Sequence, residues 1–131
     1  MTSYLLDTHV VIWLACSPKR VPEDILTQLA DPQNRRLVSA VTAMEITTKY
    51  RLGKLPEGEL FVQDWDGTLD RLMATQISLT PAQGHAAGSL EWDHRDQFDR
   101  MLAAQAIDLG VPLVSADACM ATLPGLDVRW G

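Results

Sequence analysis

Apolar residues along the chain gather in short runs, separated by longer stretches in which they recur every three to four positions. The runs at residues 4–6, 36–39, 77–79 and 112–115 are too short for helices and suit strands buried on both faces. A fifth candidate strand spans residues 126–129. Between them, residues 22–29 put Ile25, Leu26 and Leu29 on one helical face, with Pro22 suited to a first turn. The same spacing predicts helices over 42–52, 60–73, 81–90 and 96–109, and a short one over 118–123. Gly53 and Gly110 follow the last periodic residue of two of these, where a left-handed residue commonly stops a helix.

Strands alternating with helices predict an α/β fold: three layers, α/β/α, around a mainly parallel central sheet of four to five strands. Ligands of such sheets bind beyond the carboxyl ends of the strands. Asp7 directly follows the first strand, and Asp117 follows the fourth in Ser115-Ala116-Asp117. Glu45 is expected in the first turn of the helix after the second strand, and Asp99 in the first turn of the helix leading into the fourth. Four carboxylates scattered along the sequence are therefore expected near one edge of the sheet.

Most of them have an ordinary structural reading as well. Thr42 and Glu45 form an S/T-x-x-E capping box, worth about 1 kcal/mol, and Glu45 precedes Lys49 by four residues, a favourable helical pair. Asp96 suits an N-cap, Asp99 complements the helix dipole, and Asp117 can cap the short helix after it. Asp7 is different. A carboxylate at the end of a buried strand is costly to desolvate unpaired, and no Lys or Arg occurs until Lys19. A hard divalent cation such as Mg²⁺ satisfies it and removes the repulsion among converging acids.

Composition narrows the classes. Of 131 residues, 47% are apolar and 21% charged, as in an ordinary globular protein, and the length suits one domain over 1–131. The apolar stretch 4–16 is interrupted by Asp7 and His9 and is shorter than the roughly 20 residues of a membrane span. No leader or anchor is expected, and the cytoplasm is the expected location. Cys16 and Cys119 form no CxxC and are expected as reduced thiols, with no zinc site. A formal charge of −6 opposes non-specific nucleic-acid binding. Handling RNA would require local neutralisation by bound cations, a basic partner or a positive rim.

Four blocks carry a further signal: YLLDTH at 4–9 with Trp13 and Leu14, SAVTAMEITTKYRLGKL at 39–55, HRDQFDRMLAAQA at 94–106 and LVSAD at 113–117. In content and order these blocks resemble the PIN-domain ribonucleases, and in particular the VapC-type toxins of bacterial VapBC toxin–antitoxin pairs. The third block is close to the HRDPFDR-type block of one VapC-like subgroup. Gln97 stands where that subgroup has proline, and Glu91-Trp92-Asp93 also departs from its pattern. The resemblance implies a Mg²⁺- or Mn²⁺-dependent endoribonuclease, the toxin of a type II toxin–antitoxin module, hydrolysing RNA phosphodiesters with a metal-activated water.

Carried over by position, the catalytic and metal-ligating residues are Asp7, Glu45, Asp99 and Asp117. Asp7 and Asp99 are the principal ligands, and Asp96 stands second to Asp99. Thr8 and Ser115 are candidate accessory donors. Arg95, Arg100 and Lys49, joined by Arg51 and Lys54, are candidates for a substrate rim. The implied partners are RNA, a VapB-like antitoxin that occludes the acidic site, and a second copy of the chain through the apolar helices within 26–55. His85, Trp13, Trp65, Trp92 and Trp130 are expected to be surface or packing residues, and Asp64, Asp66 and Asp70 a solvated face. A haloacid-dehalogenase-type phosphatase would need DxD, and His9 occupies the second position. The remaining alternative is a catalytically weak or inactive PIN-like module binding RNA or protein. Acids at all four positions argue against it.

Overall fold

The computed structural model describes residues 1–131. In chain order the elements are β1 (Ser3–Leu6), α1 (Thr8–Cys16), α2 (Glu23–Ala30), β2 (Arg35–Ser39), α3 (Ala40–Arg51), α4 (Glu59–Gln63) and α5 (Trp65–Arg71). There follow β3 (Ala74–Ile77), α6 (Pro81–Ser89), α7 (Gln97–Leu109), β4 (Leu113–Val114) and β5 (Val128–Arg129). Short 3₁₀ turns occupy Pro18–Arg20, Pro56–Gly58 and Ala118–Thr122.

The sheet has the order β3-β2-β1-β4-β5, and every adjacent pair is parallel. Alternation along each strand sends side chains to two separate cores. Tyr4, Leu6, Val38 and Val114 face one core, built with α1, α2, Ile46, Phe61 and Leu69. Leu5, Leu37 and Leu113 face the other, closed by Leu102 and Ala106 of α7 and by Met120. The expected three-layer α/β/α arrangement is thus present, and β1 is sandwiched at its centre. Its register pairs Leu5 with Leu37 on one side and with Leu113 on the other.

Beyond shifts of one or two residues at element ends, three features depart from expectation, each for a physical reason. The third strand is Ala74–Ile77, not 77–79. It is an edge strand paired to β2 with Ile77 opposite Ser39, so one face needs no apolar run, and Leu79 packs into the second core beyond the ladder. The helix expected over 60–73 is two helices, because Asp64 adopts φ −151°, ψ 81° between them. Its carboxylate caps α5 by accepting from Gly67 N at 3.0 Å, and a Cβ at Gly67 would lie 2.1 Å from Asp64 Oδ2. Asp64 is thus exposed, as expected, and caps α5 as well. The capping box at Thr42 and Glu45 is absent, since α3 begins at Ala40 and Ser39 caps it by accepting from Val41 N at 3.0 Å. A real capping box occurs at Thr80 and Gln83, ahead of α6.

Asp96 caps α7 as expected, and Gly110 ends it in the left-handed region at φ 66°. Both cysteines are free. No helix is long and apolar enough to cross a membrane.

Candidate active site

In this strand order the chain leaves β1 toward β2 on one side, and returns later to place β4 on the other. The crevice at the carboxyl ends of β1 and β4 is the point where the winding reverses, the usual position of a ligand site in such sheets. Asp7 and Ser115 immediately follow these two strands. Ser115 Oγ donates to Asp7 Oδ2 at 2.5 Å and accepts from Asp117 N at 3.1 Å, so one hydroxyl ties both strand ends together. Asp7 Oδ1 accepts from Thr8 N at 2.7 Å and caps α1. Asp7 is only 5% exposed, and its donors are both neutral.

Glu45 reaches the crevice from the second turn of α3, one turn deeper than expected. Thr8 Oγ1 donates to Glu45 Oε1 at 2.6 Å, and Lys49 Nζ donates to Oε2 at 2.5 Å. Thr8 has given its only hydroxyl proton to Glu45, so in the 3.1 Å contact with Thr42 Oγ1 it accepts. Thr42, read from sequence as a cap, is a fully buried prop behind Thr8.

Asp99 enters from the first turn of α7, where the Asp96 cap accepts from its backbone N–H at 2.9 Å. His94 Nε2 lies 2.7 Å from Asp99 Oδ2. One donor atom each from His94, Asp99 and Asp117 lie within 4.8 Å of one another. The cleft so formed, about 580 Å³, is lined by Asp7, Glu45, Asp96, Asp99 and Asp117. Its cations are Lys49 and Arg20, and His9, Trp13, His94 and Ala116 complete it.

These surroundings make ionisation costly. Burial pushes the Asp7 carboxyl above its ordinary value, the Ser115 and Thr8 bonds oppose this, and the charge of Glu45 adds to it. Asp99 is raised to about 6, chiefly by burial; the His94 bond lowers it, and Asp7, Asp96 and Glu45 raise it further. Burial pulls the Lys49 ammonium down, but the bond and charge of Glu45, helped by Asp96 and Asp99, raise it overall. Five carboxylates facing two cations, with two of the acids resisting ionisation, form a donor set suited to a hard divalent cation. His94 adds a nitrogen donor at its edge.

All four expected acids thus converge on one cleft, with Asp96 beside them and Thr8 and Ser115 holding them. Of the expected rim, only Lys49 lines this cleft, and it is paired to Glu45. Arg95 is exposed on a neighbouring cleft, and Arg51 and Lys54 are exposed at the far end of α3. Arg100 is not a rim residue. Its guanidinium is turned inward onto the carbonyls of Ala87, Leu90, Trp92 and His94 at 2.6–3.1 Å. Sequence reasoning also left His94, Thr42 and Arg20 without roles at the site, although His94 lies within the HRDQFDR block.

The PIN domain family model matches residues 4–126, and the chain belongs to that family. No curated protein matches it. Among solved structures it is similar to a chain of VapBC2 from Rickettsia felis, in a complex bound to a DNA fragment from their promoter. That match has a TM-score of 0.73 at 19% identity and covers 99% of this chain and 100% of that one. VapBC-1 from nontypeable Haemophilus influenzae gives 0.65 at 16% identity, covering 98% and 97%. A domain of a functionally unknown protein from Methanocaldococcus jannaschii gives 0.63 at 13%, covering 100% and 91%. At these identities the likeness is one of fold.

Proposed function

We propose that this PIN-family protein is a divalent-metal-dependent endoribonuclease and the toxin of a VapBC-type pair. The observation that carries the reading is the convergence of Asp7, Glu45, Asp99 and Asp117 at the switch point of the sheet, with cations too few to balance them. Asp7 and Asp99 would hold Mg²⁺ or Mn²⁺, Glu45 and Asp117 would complete the set, and Asp96 would act from behind Asp99. The bound ion supplies Lewis acidity, lowering the pKa of water and neutralising charge on a phosphodiester. The chain's part is orientation. Ser115 and Thr8 N–H fix both oxygens of Asp7, Thr8 Oγ1 and Lys49 fix those of Glu45, and His94 holds one oxygen of Asp99.

A VapB-like antitoxin is the proposed partner: the similar solved structures are VapBC complexes, and an acidic cleft suits a basic group from such a chain. Self-association has a candidate surface in exposed Met44 on α3 and Leu52 at its end, with Leu60 and Val62 on α4. An exposed free thiol at Cys16 suits a reducing, cytoplasmic setting.

The test is cleavage of a total tRNA and rRNA mixture by purified, partner-free protein. Cleavage is expected only with Mg²⁺ or Mn²⁺, with EDTA stopping it and Asp7→Asn or Asp99→Asn lowering it about 100-fold or more. Cleavage that survives EDTA and both substitutions overturns the assignment. A protein that binds Mn²⁺ but cuts no RNA favours the non-catalytic binding module.

A further inference from the structure

The nuclease reading leaves open how a chain of charge −6 holds a polyanion. The cations of the cleft answer it by elimination. Lys49 is committed to Glu45 Oε2. Beside the cleft, Arg100 spends its donors on backbone carbonyls, and exposed Arg95 lines the neighbouring cleft instead. Arg20 alone among the cleft's Lys and Arg side chains makes no hydrogen bond and no ion pair, although five carboxylates line the same cleft. It is nonetheless held in place, its Cζ sitting 4.3 Å from the centroid of the Trp13 ring.

Trp13 is a firm seat. It packs against the first core, 5.8 Å from Trp130 on one side and 5.9 Å from the His9 ring on the other, centroid to centroid. Cation–π contact restrains the guanidinium but consumes none of its five N–H donors. A planar fork already ordered, exposed and free of partners matches the geometry of a phosphodiester and loses little entropy on binding one.

We infer that Arg20, seated on Trp13 at the lip of the acidic cleft, is the RNA-backbone phosphate site of this protein, gripping a phosphate neighbouring the scissile one. The inference rests on the nuclease reading. It makes Arg20 a substrate-positioning residue, so its loss weakens RNA binding and leaves the chemistry alone.

The test is steady-state kinetics in Mn²⁺ on whichever RNA species the cleavage assay shows to be cut, across a salt series. Arg20→Ala is expected to raise KM about tenfold with kcat within about twofold. It should also flatten the salt dependence of kcat/KM by about one phosphate contact. Arg20→Lys, which keeps the charge without the fork, should keep the salt slope and fall between in KM. Arg35→Ala, removing an exposed cation at the amino end of β2, opposite the cleft, should match the unmutated protein, and circular dichroism confirms that each variant is folded. Wild-type KM and salt slope in Arg20→Ala overturn the inference, as does an equal effect from Arg35→Ala or a loss confined to kcat. Failure of the nuclease reading itself is told apart because it appears as absent cleavage in the unmutated protein.

Discussion

The hydroxyl of Ser115 is both donor and acceptor at the centre of the site, bonded to the Asp7 carboxylate and to the backbone of Asp117. A group that orients a metal-binding carboxylate typically contributes 10–100-fold in affinity. Ser115→Ala is therefore expected to weaken Mn²⁺ binding about tenfold or more by calorimetry, and unchanged affinity would show that Asp7 needs no such guide. Asp99 gives the site a pH dependence of definite sign. Its folded pKa near 6 lies above the ordinary 3.8, so between those values the metal-free folded state holds more protons than the unfolded state. Stability then falls as pH rises through this window, and the raised Asp7 acts in the same direction. The raised Lys49 and the lowered Asp127 act outside it. In EDTA the protein is expected to melt higher at pH 5 than at pH 7, with Asp99→Asn flattening the difference. Mn²⁺ should bind more weakly as pH drops through about 6, since protons and metal compete for the same oxygens.

What could be read at this scale followed from burial. Asp7 stood out because a strand end offers no solvent and the sequence offers no nearby cation. Glu45 and Asp99 were legible as acids at the right end of the sheet. The Thr42 cap was misread because Ser39, three residues earlier, sits at the end of a buried strand and starts the helix sooner. The Arg20–Trp13 contact joins the 3₁₀ turn to α1, and His94 meets Asp99 across a loop. Neither geometry has a periodic signature.

At the level of elements, the loop between α6 and α7 is held by Arg100, which reaches four carbonyls spread over residues 87–94. That loop presents His94 to Asp99, with the His94 ring 4.9 Å from Trp92. Arg100→Met should remove the anchor and cost about 2–4 kcal/mol, read as a lower urea midpoint. Arg100→Lys should not restore it, because one ammonium cannot span four carbonyls. Of the elements, α2, α6 and α7 were each legible to within one residue at either end, owing to strong periodicity and plain stop or cap residues. The α4–α5 break was hidden because Asp64 interrupts a run of helical spacing through its own dihedral angles. β3 was displaced because an edge strand needs little hydrophobicity.

For the molecule as a whole, a ligand that binds only the folded form raises its stability by mass action, about 2.7 kcal/mol at a hundredfold excess over Kd. Mn²⁺ at pH 7 is thus expected to raise Tm by several degrees, with EDTA reversing it and the Asp7→Asn, Asp99→Asn double variant insensitive to it. The same double variant should melt higher than the unmutated protein in EDTA, since it no longer crowds charges together. The α/β/α layering was foreseeable from strand–helix alternation. The strand order was not, because nothing local states that β4 returns to lie beside β1.

That return has a temporal meaning. The hydrogen bond from Ser115 to Asp7 joins residues 108 apart. At roughly 5–20 residues per second, a ribosome would deliver Asp7 about 5–20 s before its partner. Until then the central strand has no neighbour on that side; for most of that time the cleft lacks Asp99, and throughout it Asp117. The acidic site is accordingly incomplete on the ribosome until Asp117 has been made, so the proposed activity cannot precede it.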